Sequence, residues 1–63
     1  MKTTQHILSK IKAYSQDYLH NDQDIQVIYQ NLCSVYGEEN VHDGEEPFLD
    51  DCIESEVELF FNN

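Results

Sequence analysis

The sequence predicts an all-α fold: a helical hairpin followed by a third, acidic amphipathic helix. Apolar residues recur at spacings of three and four in three separate stretches, which is the pattern of amphipathic helices. Capping residues and glycines stand between these stretches, where helices begin and end. With 63 residues the chain is one small helical domain, a size that buries only about 60% of its unfolded surface. We expect helices at about 4–20, 22–36 and 47–61 and an acidic loop at 37–46, arranged as a small three-helix bundle that is a monomer or a dimer.

The first predicted helix, 4–20, begins after a threonine N-cap. The hydroxyl of Thr3 or Thr4 can accept a hydrogen bond from a first-turn amide that has no partner inside the helix. Its apolar positions form one stripe, made by Ile7, Leu8, Ile11, Tyr14 and Tyr18. The tyrosines suit the margin of a small core, where the ring is buried and the hydroxyl stays in water.

The second predicted helix, 22–36, follows a break in the apolar pattern. Asn21 or Asp22 is a good N-cap, and Gly37 is well placed to end the helix. Its apolar face consists of Ile25, Ile28, Tyr29, Leu32, Val35 and Tyr36. Because the connection between the first two helices is short, they must form an antiparallel hairpin.

The stretch 37–46, GEENVHDGEE, predicts a solvated and mobile loop. It contains two glycines, five acids and a single apolar residue, Val41. A segment of this composition buries too little apolar surface to order itself.

The third predicted helix, 47–61, begins at Pro47, which is tolerated in the first turn because the amide it lacks has no partner there. Its apolar stripe consists of Leu49, Cys52, Ile53, Val57, Phe60 and Phe61. VELFF alone would also fit a strand, but the helical spacing continues from Leu49 to Phe61 and favours a helix. No lysine or arginine follows Lys12, so Asp50, Glu54 and Glu58 repel one another without relief inside the segment.

Charge is the strongest compositional signal. The net charge is −10, arginine is absent, and the lysines all lie within the first twelve residues. We expect no direct binding to nucleic acid, because such binding depends on lysine and arginine side chains that neutralise phosphates. The expected partner is a basic or regulatory protein.

The sequence carries no catalytic or cofactor-binding signature, and we expect no enzyme activity, no cofactor and no metal site. An EF-hand register with Gly44 in the sixth position puts Val41 third and Asp50 twelfth, so the pattern fails. His42-Asp43 is the one hint of an acid-base pair, but no nucleophile accompanies it.

Four residues could bind zinc by type, but they lack the short paired spacing of zinc sites: His20, Cys33, His42 and Cys52. We interpret the two cysteines as reduced, structural thiols, which favours a cytoplasmic location. No stretch has the length and apolar character of a signal-peptide core or a membrane span, so no membrane association is expected.

Two candidate binding surfaces follow from the third helix. The acidic face consists of Glu45, Glu46, Asp50, Asp51, Glu54 and Glu58. Carboxylates one helical turn apart are roughly 5–6 Å from each other, so this face imitates a row of DNA phosphates or, as the simpler alternative, only confers solubility. The apolar surface consists of Phe48, Phe60 and Phe61 and predicts partner binding or a homodimer.

The whole chain, from MKTTQHILSKIKAYSQDYLH to CIESEVELFFNN, resembles the small accessory proteins of lambdoid bacteriophages. The similarity is to the early open reading frames between the exonuclease and excisionase genes of phage lambda, in size and general character. This resemblance implies an early phage protein in the bacterial cytoplasm. Such a protein would bind host or phage regulators and influence the host cell cycle or the choice between lysis and lysogeny.

Overall fold

Four α-helices and no strand make up residues 1–62, the part of the chain that the computed structural model describes. They are α1 (Thr4–Tyr14), α2 (Asp22–Tyr36), α3 (Glu38–Asp43) and α4 (Glu46–Phe61). The helices α1, α2 and α4 pack against one another in pairs, and α3 packs against α2. The predicted all-α class is confirmed, and the architecture is a three-helix bundle with a short additional helix.

The core lies between α1, α2 and α4 and takes one residue from α3. Aliphatic side chains dominate it: Ile7, Ile11, Ile25, Ile28, Leu32, Val41, Leu49, Cys52, Ile53 and Val57. Val35, which the sequence pattern assigned to the apolar face of α2, is 63% exposed instead. The stripe of α2 is therefore narrower than its apolar residues alone indicated.

The first helix ends at Tyr14, so the expectation of a helix to residue 20 is wrong at its C-terminal end. Ser15 is fully buried, and its hydroxyl donates a hydrogen bond to the carbonyl of Ile11 at 2.8 Å. Serine bonded to nearby backbone competes with the regular helical pattern. Tyr18 still packs against the core, but it does so from a turn in which its N–H donates to the Ser15 carbonyl at 2.9 Å.

The second helix occupies Asp22–Tyr36 and has defined ends. Asn21 and Asp24 form a capping box, in which each side chain accepts a hydrogen bond from the other residue's N–H, at 2.9 and 3.1 Å. Gly37 ends the helix with a φ of +92°, a backbone conformation that side-chain-bearing residues rarely adopt. Local sequence chemistry thus determines both ends of α2.

The expected mobile loop at 37–46 is wrong, because α3 occupies Glu38–Asp43. Val41 is fully buried and His42 is 8% exposed. Glu38 and Glu39 lie in the first turn, where negative charge is favoured by the helix dipole. A single apolar residue was too weak a signal to predict this helix. The helix is ordered by contacts with residues that are distant in the sequence.

Those contacts come from the N-terminal segment. The N–H of Lys2 donates to the carbonyl of His42 at 2.9 Å, and His42 Nδ1 donates to the carbonyl of Lys2 at 2.8 Å. The ammonium of Lys2 also donates to the carbonyl of Gly44. Residue 2 therefore holds α3 against the bundle and satisfies backbone groups at the end of that helix.

Candidate protein-binding surface

The predicted acidic face does not consist of equivalent carboxylates. Lys10 of α1 forms ion pairs with Glu46 and with Asp50, whose Oδ1 lies 2.6 Å from the lysine nitrogen. His6 Nε2 lies 3.0 Å from Glu46 Oε1. Glu46 and Asp50 of α4 thus form a polar contact with α1.

The ion pairs shift the pKa values of Lys10 and Glu46. Hydrogen bonding to Asp50, and then to Glu46, raises the pKa of Lys10 above its ordinary value. Hydrogen bonding to Lys10 lowers the pKa of Glu46. Asp50 Oδ1 is withdrawn from water and lies against the Lys10 ammonium, whose positive charge stabilises it there.

The other members of the acidic face point into solvent: Glu45, Asp51, Glu54 and Glu58. Among residues 1–62 none of them forms an ion pair. The open row of carboxylates on α4 is therefore Asp51, Glu54 and Glu58 rather than one that begins at Asp50. Sequence reasoning missed this division, although Lys10 lies beside Ile11 of the apolar stripe and so near the packing face of α1.

Further acids extend the negative surface beyond α4. Glu38, Glu39 and Asp43 on α3 are exposed, and so is Asp17 after α1. Of the lysines, Lys2 contacts backbone and Lys10 is paired, which leaves Lys12 exposed and outside any ion pair in the described chain. The surface presented to a partner is therefore more acidic than the composition alone indicates.

The three phenylalanines of the predicted apolar surface do not form one patch. Phe48 is 44% exposed and lies edge-on to Tyr36, with ring centroids 6.2 Å apart. Phe60 and Phe61 are half-buried and lie twelve residues further along α4, a rise of roughly 18 Å. Phe61 stacks on Tyr18 with centroids 4.6 Å apart, and Phe60 meets Phe61 edge-on. At least this aromatic pair packs against the protein's own core.

The histidine in α3 has a structural environment. Because the Lys2 carbonyl can only accept, His42 Nδ1 carries a proton, and Nε2 lies 2.7 Å from the Tyr29 hydroxyl, from which it accepts when the ring is neutral. Burial raises the pKa of Tyr29. Both ring nitrogens are thus engaged with partners other than Asp43, which is exposed.

The cysteines lie on different helices and both are free thiols. Cys33 is half-buried on α2, while Cys52 is 4% exposed on α4, and burial raises the pKa of the Cys52 thiol. No group of three or more metal-ligating side chains converges within residues 1–62. None of the helices described is both long and apolar enough to cross a membrane.

Comparison with known proteins identifies no relative of this chain. No protein-family model, no curated protein and no solved structure matches the chain.

Proposed function

We propose that this protein is a non-enzymatic regulatory protein that binds a basic surface of another protein through its open carboxylates. The observation that carries the proposal is the unequal use of charge: Lys10 pairs with Glu46 and Asp50 between α1 and α4, whereas Asp51, Glu54 and Glu58 stay exposed and outside any ion pair in the described chain. Mixed surface charge would confer solubility with less self-repulsion. An excess this one-sided favours attraction to a cationic partner.

The phage resemblance indicates where such a partner would be found. As an early protein of a lambdoid phage, the chain would act in the bacterial cytoplasm on a host or phage regulator. Its effect would fall on the host cell cycle or on the choice between lysis and lysogeny. Binding that occludes a basic site is sufficient for this role and needs neither cofactor nor membrane.

Capture from bacterial lysate at low and high salt tests the proposal. The wild type is compared with a variant that removes four exposed charges of the acidic face, Glu45→Gln, Asp51→Asn, Glu54→Gln and Glu58→Gln. We expect the wild type to retain a defined basic protein at low salt only, because salt screens exposed charges over about 10 Å at 0.1 M. The variant should lose it.

A matched control removes four charges elsewhere, through Asp22→Asn, Glu38→Gln, Glu39→Gln and Asp43→Asn. Its net charge equals that of the first variant, so general attraction is the same in both. It should retain most of the captured protein, because its acidic face is intact. Capture that persists at high salt, or that survives in the acidic-face variant, would contradict the proposal.

Nucleic-acid mimicry is the second candidate, and one feature of α4 favours it. Asp51, Glu54 and Glu58 are exposed at spacings of three and four, which makes a row of carboxylates roughly 5–6 Å apart. A mimic occupies the site that the partner uses for nucleic acid. Duplex DNA or structured RNA should then displace the captured partner, whereas a partner that binds both together would exclude mimicry.

A further inference from the structure

We infer that a groove between the C-terminal ends of α1 and α4 binds an extended arginine-containing segment of the partner. The inference rests on the proposed function and assigns the contact to one place on the acidic surface. The centre of this groove, called here the α1–α4 groove, has a volume of about 260 Å³ and is lined by Tyr14, Tyr18, Glu54, Val57 and Glu58.

A further depression lies on each side of this centre. Towards the end of α4 is one of about 310 Å³, and Glu58 lines both it and the centre. Past α1 is another of about 280 Å³, which shares Tyr14 with the centre and is also lined by Asp17. Three adjoining depressions with shared walls form an elongated surface, which suits a length of chain better than a single small ion.

The charge of the groove determines the chemistry of its occupant. Glu54, Glu58 and Asp17 are exposed along it, and no ion pair joins any of them to a cation within residues 1–62. Neither a lysine nor a histidine lines any of the three depressions. A cationic segment is complementary to this surface, and an acidic or purely apolar one is not.

The aromatic wall selects arginine over lysine. Tyr18 is held by its stacking on Phe61, where the two rings are 4° from parallel, and Tyr14 is 36% exposed beside it. A guanidinium is planar, stacks on aromatic faces and donates two parallel hydrogen bonds to one carboxylate. An ammonium offers a point charge without that fit.

The spacing of the carboxylates selects an extended segment. Glu54 and Glu58 are one helical turn apart, roughly 5–6 Å. Alternate side chains of an extended chain lie on the same side about 6.7 Å apart. An Arg-X-Arg segment therefore places one guanidinium near each carboxylate, with the intervening side chain directed away from the groove.

Titration with two defined peptides tests the inference. One capped heptapeptide has arginine at its second, fourth and sixth positions and glycine elsewhere; the other has lysine at the same positions. Fluorescence anisotropy at low salt should show at least threefold tighter binding of the arginine peptide. Amide chemical-shift changes should concentrate at residues 13–18 and 54–62.

Paired variants of equal net charge separate the groove from general attraction. Glu54→Gln with Glu58→Gln should weaken binding of the arginine peptide about tenfold, whereas Glu38→Gln with Glu39→Gln on α3 should change it less than twofold. Tyr14→Leu leaves the charge unchanged and should remove the preference for arginine over lysine. Thermal unfolding of each variant verifies that it is folded.

The outcomes distinguish this inference from the proposed function. Equal loss in both pairs, equal affinity for the two peptides, or no peptide binding by the wild type overturns the assignment to the groove. Each of these results leaves the proposed function to its own lysate experiment, in which Glu45 and Asp51, outside the groove, are neutralised together with Glu54 and Glu58.

Discussion

At the scale of single residues, the two glycines are needed for different reasons. Gly37 has a φ of +92°, so a side chain there would be strained whatever the space around it. Gly44 has an ordinary extended backbone, with φ of −66°. A Cβ at Gly44 would nevertheless lie 2.6 Å from the carbonyl oxygen of Asn40 and 2.8 Å from a ring carbon of Phe48. Close approach, rather than backbone conformation, requires glycine at position 44.

Gly44→Ala should therefore destabilise the protein by about 1–3 kcal/mol, the usual cost of forcing extra volume into a packed site. Urea unfolding monitored by circular dichroism measures this loss. In a Phe48→Ala background the substitution should remain costly, because the contact with the Asn40 backbone persists. A fully neutral Gly44→Ala in that background would show that the ring alone restricts this position.

Neighbouring glutamates provide a second test at the residue scale. Glu46 pairs with Lys10 and has a lowered pKa, whereas Glu45 is exposed and forms no ion pair in the described chain. A lowered pKa in the folded state means that ionised Glu46 contributes stability above its ordinary pKa of 4.5, and that this contribution is lost as the pH falls through the lowered value.

Glu46→Gln should thus lower the unfolding free energy at neutral pH relative to Glu45→Gln, which removes the same charge. The difference between the two variants should disappear once the pH is below the lowered pKa of Glu46. Urea unfolding across this range is the measurement. If the variants were equally stable at neutral pH, the ion pair with Lys10 would contribute nothing, as is common for exposed pairs.

At the scale of elements, the short helix α3 is the main departure from the sequence pattern. It is joined to the N-terminal segment by two hydrogen bonds between Lys2 and His42, one to the His42 carbonyl and one from its imidazole. Its one apolar residue, Val41, is fully buried in a core that α1, α2 and α4 otherwise supply. The composition of this acidic segment predicts disorder, but the segment is ordered because the Val41 side chain packs into the core between the other helices.

Two valines test this account. Val41→Ala should cost about 2 kcal/mol, for the lost burial of two methyl groups and the cavity that remains. Val35→Ala should stay within about 0.5 kcal/mol, because Val35 is 63% exposed on α2. The amide of Val41, which donates to the Gly37 carbonyl at 3.0 Å, should also be protected from hydrogen exchange. Equal costs for the two substitutions, or fast exchange at Val41, would support the mobile loop instead.

At the scale of the whole molecule, charge opposes the fold. The net charge of −10 is carried by a body with a radius of gyration of 10.5 Å. The Debye length at 0.1 M salt is about 10 Å, so ordinary salt screens repulsion across the entire molecule. Screening also weakens the Lys10 ion pairs, but those involve only two of the thirteen acids.

Added sodium chloride should therefore raise the unfolding free energy, measured in urea because guanidinium is itself a salt. Sedimentation equilibrium in the same salt series tests the homodimer expected from Phe48, Phe60 and Phe61: self-association should strengthen with salt, while binding to a basic partner weakens. A protein whose stability falls with salt would show that internal ion pairs outweigh the general repulsion. A protein that is monomeric at every salt concentration would contradict the expected homodimer.

The sequence alone determined the helical class, the ends of α2 and the acidic character of the surface. These properties depend on local chemistry: the 3.6-residue period, the capping box of Asn21 and Asp24, the positive φ at Gly37, and the absence of lysine and arginine after Lys12.

Tertiary structure decided the rest, because the decisive contacts join residues about forty positions apart. Packing α1 against α4 brings Lys10 to Glu46 and Asp50 and so divides the acidic face into a paired part and an open part. Docking of the N-terminus at His42 converts a predicted loop into α3. The α1–α4 groove likewise exists only where the two helices meet, since neither helix carries both its aromatic and its acidic walls. A sequence pattern records which side of a helix is apolar, but not which charge of another helix will face it.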